Sequence, residues 1–330
     1  MTGLQKSTTV RIRNLAMQAF FKYAEHVAPG YAGRVANDLW FTAPPRMGDL
    51  PVPAGGRSFS VLSQGATVVG QVWGEGFRQA QPAQAAQPTT ARAPKTVYLM
   101  HGWGGRGAQF GALVEPLVEA GYQVVMFDAP SHGDSGIVER TGERRTHGIE
   151  FARALDAVFD EFGPAEAVIA HSLGTISTYL DLRFGWLGTN RLVFIAPMTD
   201  AMSLFDGFQA ALGFGPRTRA AMEAATRDFT GLPVTEFDAT LQSRYLDEPL
   251  PTFVVHDRDD RQTPYADAKA FASAVGAEFM GTEGLGHRKV LRDPEVIKRV
   301  VEFVSTSSTT DGGDGDKTSG QDDDWMEVAG

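Results

Sequence analysis

Ser172 lies in the stretch AHSLG (170–174), at the end of the aliphatic run AVIA (167–170) and just before TISTYLDLRF (175–184), which reads as a helix. A serine between a buried strand and a helix stands on the sharp turn from which a hydroxyl can attack a carbonyl. Small residues two before and two after the serine let such a turn pack against neighbouring backbone. Gly174 meets that need fully, and Ala170 departs from glycine by one methyl group. The pentapeptide alone also fits a helix N-cap, and the expectation is that Ser172 caps the helix as well as attacking carbonyls. A nucleophilic serine further needs a base, an acid to orient the base, and donors for a developing oxyanion.

Three other stretches offer those groups. HGWGGRG (101–107) follows TVYLM (96–100), and its glycines give the backbone freedom to turn an amide into a cavity. The amide of Trp103 is the natural companion to that of Leu173 as an oxyanion hole. HDRDDRQTPY (256–265) continues the strand-like TFVVHD (252–257) and offers Asp257, Asp259 and Asp260. Asp260, four residues before the helix-opening Pro264, is best placed to face inward, with the other two as rivals. A metal reading of this loop is disfavoured, because adjacent aspartates on a turn seldom converge without distant ligands. AEFMGTEGLGHRKVL (277–291) places His287 on a glycine-flanked loop. Of the seven histidines, His26 and His147 fall in predicted helices, and only His287 follows the acid. The order serine, acid, histidine belongs to the strand–elbow arrangement.

The elements that must position these groups follow from periodicity. TVYLM, QVVMFD (123–128), AVIA, RLVFIA (191–196) and TFVVHD are short unbroken apolar runs, with AEFMG (277–281) as a weaker one. Helical stretches at 108–120, 146–162, 173–184, 264–275 and 293–304 separate them. Such alternation predicts an α/β fold with a mostly parallel central sheet and helices on both faces. Ligands then bind at the carboxyl ends of the strands. Ser58–Leu62 and Thr67–Trp73, parted by Gly65, read as a hairpin before that sheet. Residues 198–250 interrupt the alternation with two helix-like segments and read as a helical cap insertion over the strand ends. Phe205, Phe208, Leu212, Phe214 and Phe229 in it could line an apolar acyl pocket or simply pack the cap.

The domain reading is an N-terminal helical extension (1–54), a main domain (55–304) holding the cap and a flexible Gln/Ala/Pro-rich loop (76–94), and a disordered acidic tail (305–330). The extension reads as two helices from Thr9 to about Trp40, broken at Pro29-Gly30 and docked on the domain core. Ile12, Leu15, Ala19 and Tyr23 form one apolar side, and peripheral contact with a membrane is the alternative. The chain of 330 residues has a formal charge of −10 and no cysteine. From Thr306 on, six Asp and one Glu stand against one Lys, a net −6, so the remainder carries about −4, an ordinary surface charge. That argues against a nucleic-acid partner, which needs a basic patch. Absence of cysteine removes disulfides and thiolate nucleophiles. No apolar run reaches the ~18 residues of a membrane span, and a cytoplasmic location is expected.

Taken together, HGWGG, FDAPSHGDSG (127–136), AHSLG, DRDDRQTP and GLGHRKVL resemble the α/β-hydrolase superfamily over about residues 55–304. FDAPSHGDSG is similar to the family's Asp-x-Pro-x-x-Gly-x-Ser stretch, which helps shape the pocket mouth. The resemblance implies Ser172 as nucleophile, His287 as base, Asp260 as acid and the Trp103 and Leu173 amides as oxyanion hole. It implies no cofactor or metal. The expected function is a serine hydrolase of a carboxylic ester or thioester with a small-molecule acyl substrate. Acyl transfer or carbon–carbon bond hydrolysis on the same triad is the alternative. A non-catalytic binding or scaffold protein on this fold is the reading from another class. Oligomeric state is not legible.

Overall fold

The computed structural model describes residues 3–74, 95–138 and 144–306, with side chains from Asn14 onward. The loop expected at 76–94 and the tail from 307 on lie outside these residues. Two helices, α1 (Gly3–Val27) and α2 (Pro29–Phe41), open the chain. They part at Pro29, the first residue of α2, where a fixed φ and a missing N–H suit a helix start.

β1 (Arg57–Ser63) and β2 (Ala66–Trp73) form an antiparallel hairpin. Gln64 (φ 51°) and Gly65 (φ 76°) both take the left-handed conformation of a two-residue hairpin turn. Then follow β3 (Thr96–Met100), α3 (Gly111–Glu119), β4 (Gln123–Phe127), α4 (Gly148–Phe162), β5 (Ala165–His171), α5 (Gly174–Arg183) and β6 (Leu192–Ile195). The cap holds α6 (Ala201–Leu212), α7 (Pro216–Thr230) and the short α8 (Ala239–Ser243). β7 (Thr252–Asp257), α9 (Tyr265–Ala274), β8 (Glu278–Thr282), α10 (Gly286–Lys289) and α11 (Pro294–Ser305) complete the chain.

The eight strands form one sheet in the order β1-β2-β4-β3-β5-β6-β7-β8. β2 meets β4 antiparallel, and every pairing from β4 to β8 is parallel. β3 to β7 are buried along their whole length, which is why they read as unbroken apolar runs. Phe151, Leu155, Ile176 and Tyr179 of α4 and α5 cover one face. Leu113, Leu117, Val296 and Val300 of α3 and α11 cover the other. The edge strand β8 is only partly covered.

The order places β3 between β4 and β5, so the chain reverses its direction of winding there. The carboxyl ends of β3 and β5, with HGWGG and AHSLG, therefore lie side by side at a topological switch point.

The N-terminal helices dock chiefly on the cap. α2 runs against α7 so closely that a Cβ on Gly33 would sit 2.5 Å from Ala221 Cβ. Asn37 Oδ1 accepts from Thr226 Oγ1 at 2.9 Å. Glu25 of α1 accepts from the amides of Gly215, Arg217 and Thr218 at 2.9–3.1 Å, capping α7 from another helix. Trp40 meets Phe205 and Phe208 edge-on, with centroids 4.5 and 5.1 Å away. Phe214 packs on Phe21, and Phe229 on Phe41. Phe205, Phe208, Phe214 and Phe229 thus cement cap to extension, and with Leu212 they stand outside the pocket described next.

Candidate active site

Ser172 takes φ 53°, a left-handed conformation that non-glycine residues avoid unless their surroundings impose it. The surroundings are visible. Its amide donates to Ile195 O (3.3 Å), and its carbonyl accepts from Thr175 N (3.0 Å) and Met198 N (3.1 Å). A Cβ at position 174 would lie 2.7 Å from Met100 O and 3.0 Å from His101 O, so only glycine lets the elbow lean on β3. Ala170 is fully buried in register with Met100, and its extra methyl is accommodated.

Helix α5 begins after Leu173, its N-cap, and no side chain caps it. The expected N-cap role of Ser172 is therefore corrected. Ser172 stands one residue before that N-cap, in the left-handed conformation, and its side chain makes no capping hydrogen bond among the described residues.

The HGWGG loop lies directly against the elbow. A Cβ on Gly102 would come within 2.6 Å of Ser172 Cβ and 2.7 Å of His171 O. Among the described residues the amides of Trp103 and Leu173 donate to no protein acceptor. Two buried histidines brace this loop. His101 Nδ1 donates to Gly102 O (2.8 Å), and its Nε2 accepts from Ala129 N (2.8 Å). His132 Nδ1 donates to Pro130 O (3.0 Å), and its Nε2 accepts from Gly104 N (3.0 Å). Each ring must stay neutral to accept, and burial lowers the pKa of His101 to about 4 and of His132 to about 3. Asp128 ties the same corner, accepting from Gly107 N (2.7 Å) and Asp134 N (2.8 Å). FDAPSHGDSG is thus a clamp on the HGWGG loop.

The three aspartates after β7 separate cleanly. Asp260 Oδ2 is 2.7 Å from His287 Nδ1 and accepts from Thr263 Oγ1 at 3.1 Å. Its Oδ1 accepts from Gln262 N (2.7 Å) and Thr263 N (3.2 Å). Burial alone would raise its pKa, but the His287 hydrogen bond and these amides outweigh it and hold the carboxyl at about 2. Asp257 instead accepts from the amides of Asp259, Leu285 and Gly286 and from Thr282 Oγ1. Asp259 accepts from Gly284 N (2.9 Å). One carboxylate holds the imidazole, and two hold the backbone that carries it. His287 lies on the short α10 rather than on an open loop.

His171, beside the serine, was not legible as a site residue. Its Nε2 donates to His287 O at 2.8 Å, and the two rings are 4.6 Å apart. It fastens the end of β5 to the turn bearing His287. Burial, and then the neighbouring His287, lower its pKa to about 3, so it serves as a neutral strut. Its adjacency to Ser172 was the only available signal. His147, expected within a helix, is the N-cap of α4.

On the cap side, Trp103 and Leu173 open onto a small apolar pocket of about 50 Å³, also lined by Phe41, His147, Met198 and Phe237. No helix among the described residues is long and apolar enough to cross a membrane.

Sheet order, left-handed elbow and strand-end loops together define a hydrolase-type α/β protein. The chain belongs to the alpha/beta hydrolase family, whose model matches residues 97–300, more than half of its length. Over 116 residues it is 34% identical to the 2-hydroxy-6-oxononadienedioate/2-hydroxy-6-oxononatrienedioate hydrolase of Escherichia coli K12, a match covering 34% of this chain and 39% of that protein. Among solved structures it is similar to an esterase of Pyrococcus furiosus (TM-score 0.56, 17% identity, covering 80% of this chain and 97% of that one). It is also similar to a bacterial membrane phospholipase A (TM-score 0.54, 16% identity, covering 91% and 98%).

Proposed function

We propose that this protein is a serine hydrolase that cleaves a carboxylic ester or thioester of a small acyl group. Asp260, held ionised, keeps His287 with its proton on Nδ1, leaving Nε2 free to accept. His287 takes the hydroxyl proton of Ser172 as Oγ attacks the carbonyl carbon. The amides of Trp103 and Leu173 receive the oxyanion. His287 then protonates the leaving alcohol or thiol, and water repeats the sequence to release the acid and restore the serine. The 2.7 Å pair between Asp260 and His287, on a turn fastened to the elbow through His171, is the observation that carries this reading.

A panel of p-nitrophenyl esters assayed with wild type and Ser172→Ala tests it. The expected loss in turnover is on the order of 10⁶-fold, the scale known for another serine hydrolase. Equal rates for the two proteins would overturn it. Carbon–carbon bond hydrolysis by the same residues is the second reading, favoured by the relative named as a hydrolase of 2-hydroxy-6-oxononadienedioate. It predicts poor ester turnover but Ser172-dependent cleavage of vinylogous 1,5-diketones. Acyl transfer would show as faster ester consumption when an alcohol or amine acceptor is added.

A further inference from the structure

A second cleft, which the proposed chemistry does not use, lies between the segment joining α2 to β1 and the turn bearing His287. It measures about 530 Å³. The segment joining α2 to β1 contributes Met47 and Leu50, and the His287 turn contributes Leu285. Arg288, Lys289 and Arg292 complete it with three cations. Among the described residues none of the three is paired with a carboxylate. The one acidic lining residue, Asp293, is committed to the amides of Glu295 and Val296, both at 3.1 Å. The cleft is therefore an apolar floor with a positive rim, a shape and charge that select an acidic peptide carrying a large apolar side chain.

This chain contains such a peptide. Residues 322–326 read DDDWM, three adjacent carboxylates followed by a tryptophan and a methionine. We propose that this segment of the acidic tail docks in the cleft, its aspartates on Arg288, Lys289 and Arg292 and Trp325-Met326 on Met47, Leu50 and Leu285. Reach permits it. The 12-residue α11 starts at the cleft with Pro294 and carries the chain away from it by roughly 18 Å. Residues 307–321 can span up to ~50 Å on the return. Tethering supplies an effective concentration in the millimolar range, so a weak motif suffices. An indole over a guanidinium adds a cation–π contact to the charge pairing. Because Leu285 and Arg288 flank His287, docking would brace the turn that bears it. The proposal stands whichever reaction the protein performs.

The absence of cysteine makes the test clean. Ala329→Cys in the full chain accepts one fluorophore, whose anisotropy reports whether the tail is held. At low salt the label is expected to tumble with the whole protein, and to be released as salt screens the contacts. Arg288→Glu combined with Lys289→Glu and Arg292→Glu is expected to free it at low salt. Adding Asp322→Lys, Asp323→Lys and Asp324→Lys to that protein is expected to restore the high anisotropy, which also shows that the cleft variant is folded. Equal anisotropy in wild type and cleft variant would overturn the proposal. So would a high value lost on dilution, which assigns the cleft to the tail of a second copy. Release by inorganic phosphate at matched ionic strength more readily than by chloride is expected, since a doubly charged anion competes for the same three cations, and supports the proposal.

Discussion

The strand-end loops around Ser172 and the cap above them are built on opposite terms. In the loops the positions are held by hydrogen bonds to backbone from His101, His132, His171, Asp128, Asp257 and Asp260, and single glycines are dictated by backbone within 3 Å of where a Cβ would stand. Between the cap and the N-terminal helices, the hydrogen bonds of Glu25 and Asn37 stand beside a broad aromatic contact, with Trp40, Phe205, Phe208, Phe214 and Phe21 sharing one apolar layer. Hydrogen bonds and close backbone approach fix positions to a fraction of an ångström, whereas apolar packing fixes volume and tolerates exchange. The difference suits a protein that must hold one reacting geometry and can vary what it admits.

The sharpest way to break this contrast lies within the loops, between two carboxylates three residues apart. Asp260→Asn removes the charge that orients His287 and should lower kcat by about 10⁴-fold, as for the same change in another triad, with little change in melting temperature. Asp257→Asn should do the reverse. Its carboxylate accepts four hydrogen bonds, so its loss should cost about 2–4 kcal/mol of stability with a smaller loss of kcat. Paired kinetics and thermal melts check both, and similar profiles for the two variants would contradict the division of labour.

Two glycines make the second pair. Gly102→Ala would force a methyl onto Ser172 and the His171 carbonyl. It should lower kcat at least 10²-fold and stability by about 1–3 kcal/mol. Gly148→Ala, on the pocket wall, meets only ordinary contacts at 3.4–3.6 Å from Phe237 and Ser177. It should leave stability unchanged or raise it by about 0.5 kcal/mol, and shift ester preference toward shorter acyl groups. An acyl-length series with urea unfolding of both variants is the measurement.

Acid should find the loops first. His101, His132 and His171 have folded pKa values of about 3–4, whereas an unfolded histidine titrates near ~6.5. The unfolded chain therefore takes up protons that the folded one refuses. Their stabilisation is complete above ~6.5 and lost as pH falls toward the folded values, by at most ~1.4 kcal/mol per pH unit for each histidine. Urea midpoints between about pH 7 and 4 should fall steeply, and less steeply in His132→Asn.

The smallest effect lies on α5, away from the loops. Asp181 of α5 is fully buried, and neither carboxyl oxygen has a partner among the described residues. Burial, and then nearby Asp156 and Asp160, raise its pKa well above the usual range. A raised carboxyl loses its contribution as pH rises above the unfolded value of ~3.9. Asp181→Asn should thus stabilise the protein at neutral pH by about 1 kcal/mol, an advantage that vanishes below about pH 4.

The same contrast explains what could be read in advance. The parallel strands were legible because their burial on both faces leaves unbroken apolar runs. AHSLG and HGWGG were legible because a sharp turn leaves its small residues in the sequence. Which of Asp257, Asp259 and Asp260 faces His287 could be weighed but not decided, since the choice rests on contacts 24 to 29 residues away. The struts His101, His132 and His171 were missed because their partners lie 28 to 116 residues off. The cap phenylalanines carry no mark of which surface they cover, and most of them turned out to face the N-terminal helices. The N-cap expectation for Ser172 failed because backbone conformation, not residue type, decides where a helix begins.

The central claim is that Ser172 is an activated nucleophile. Native wild-type protein treated with a fluorophosphonate probe, then digested and mapped by mass spectrometry, tests it most directly. The account predicts one phosphonylated residue, Ser172, with labelling abolished in Ser172→Ala and strongly slowed in His287→Gln. Absence of labelling in the native wild type, or labelling elsewhere at the same rate, would contradict it and favour a non-catalytic binding protein on this fold.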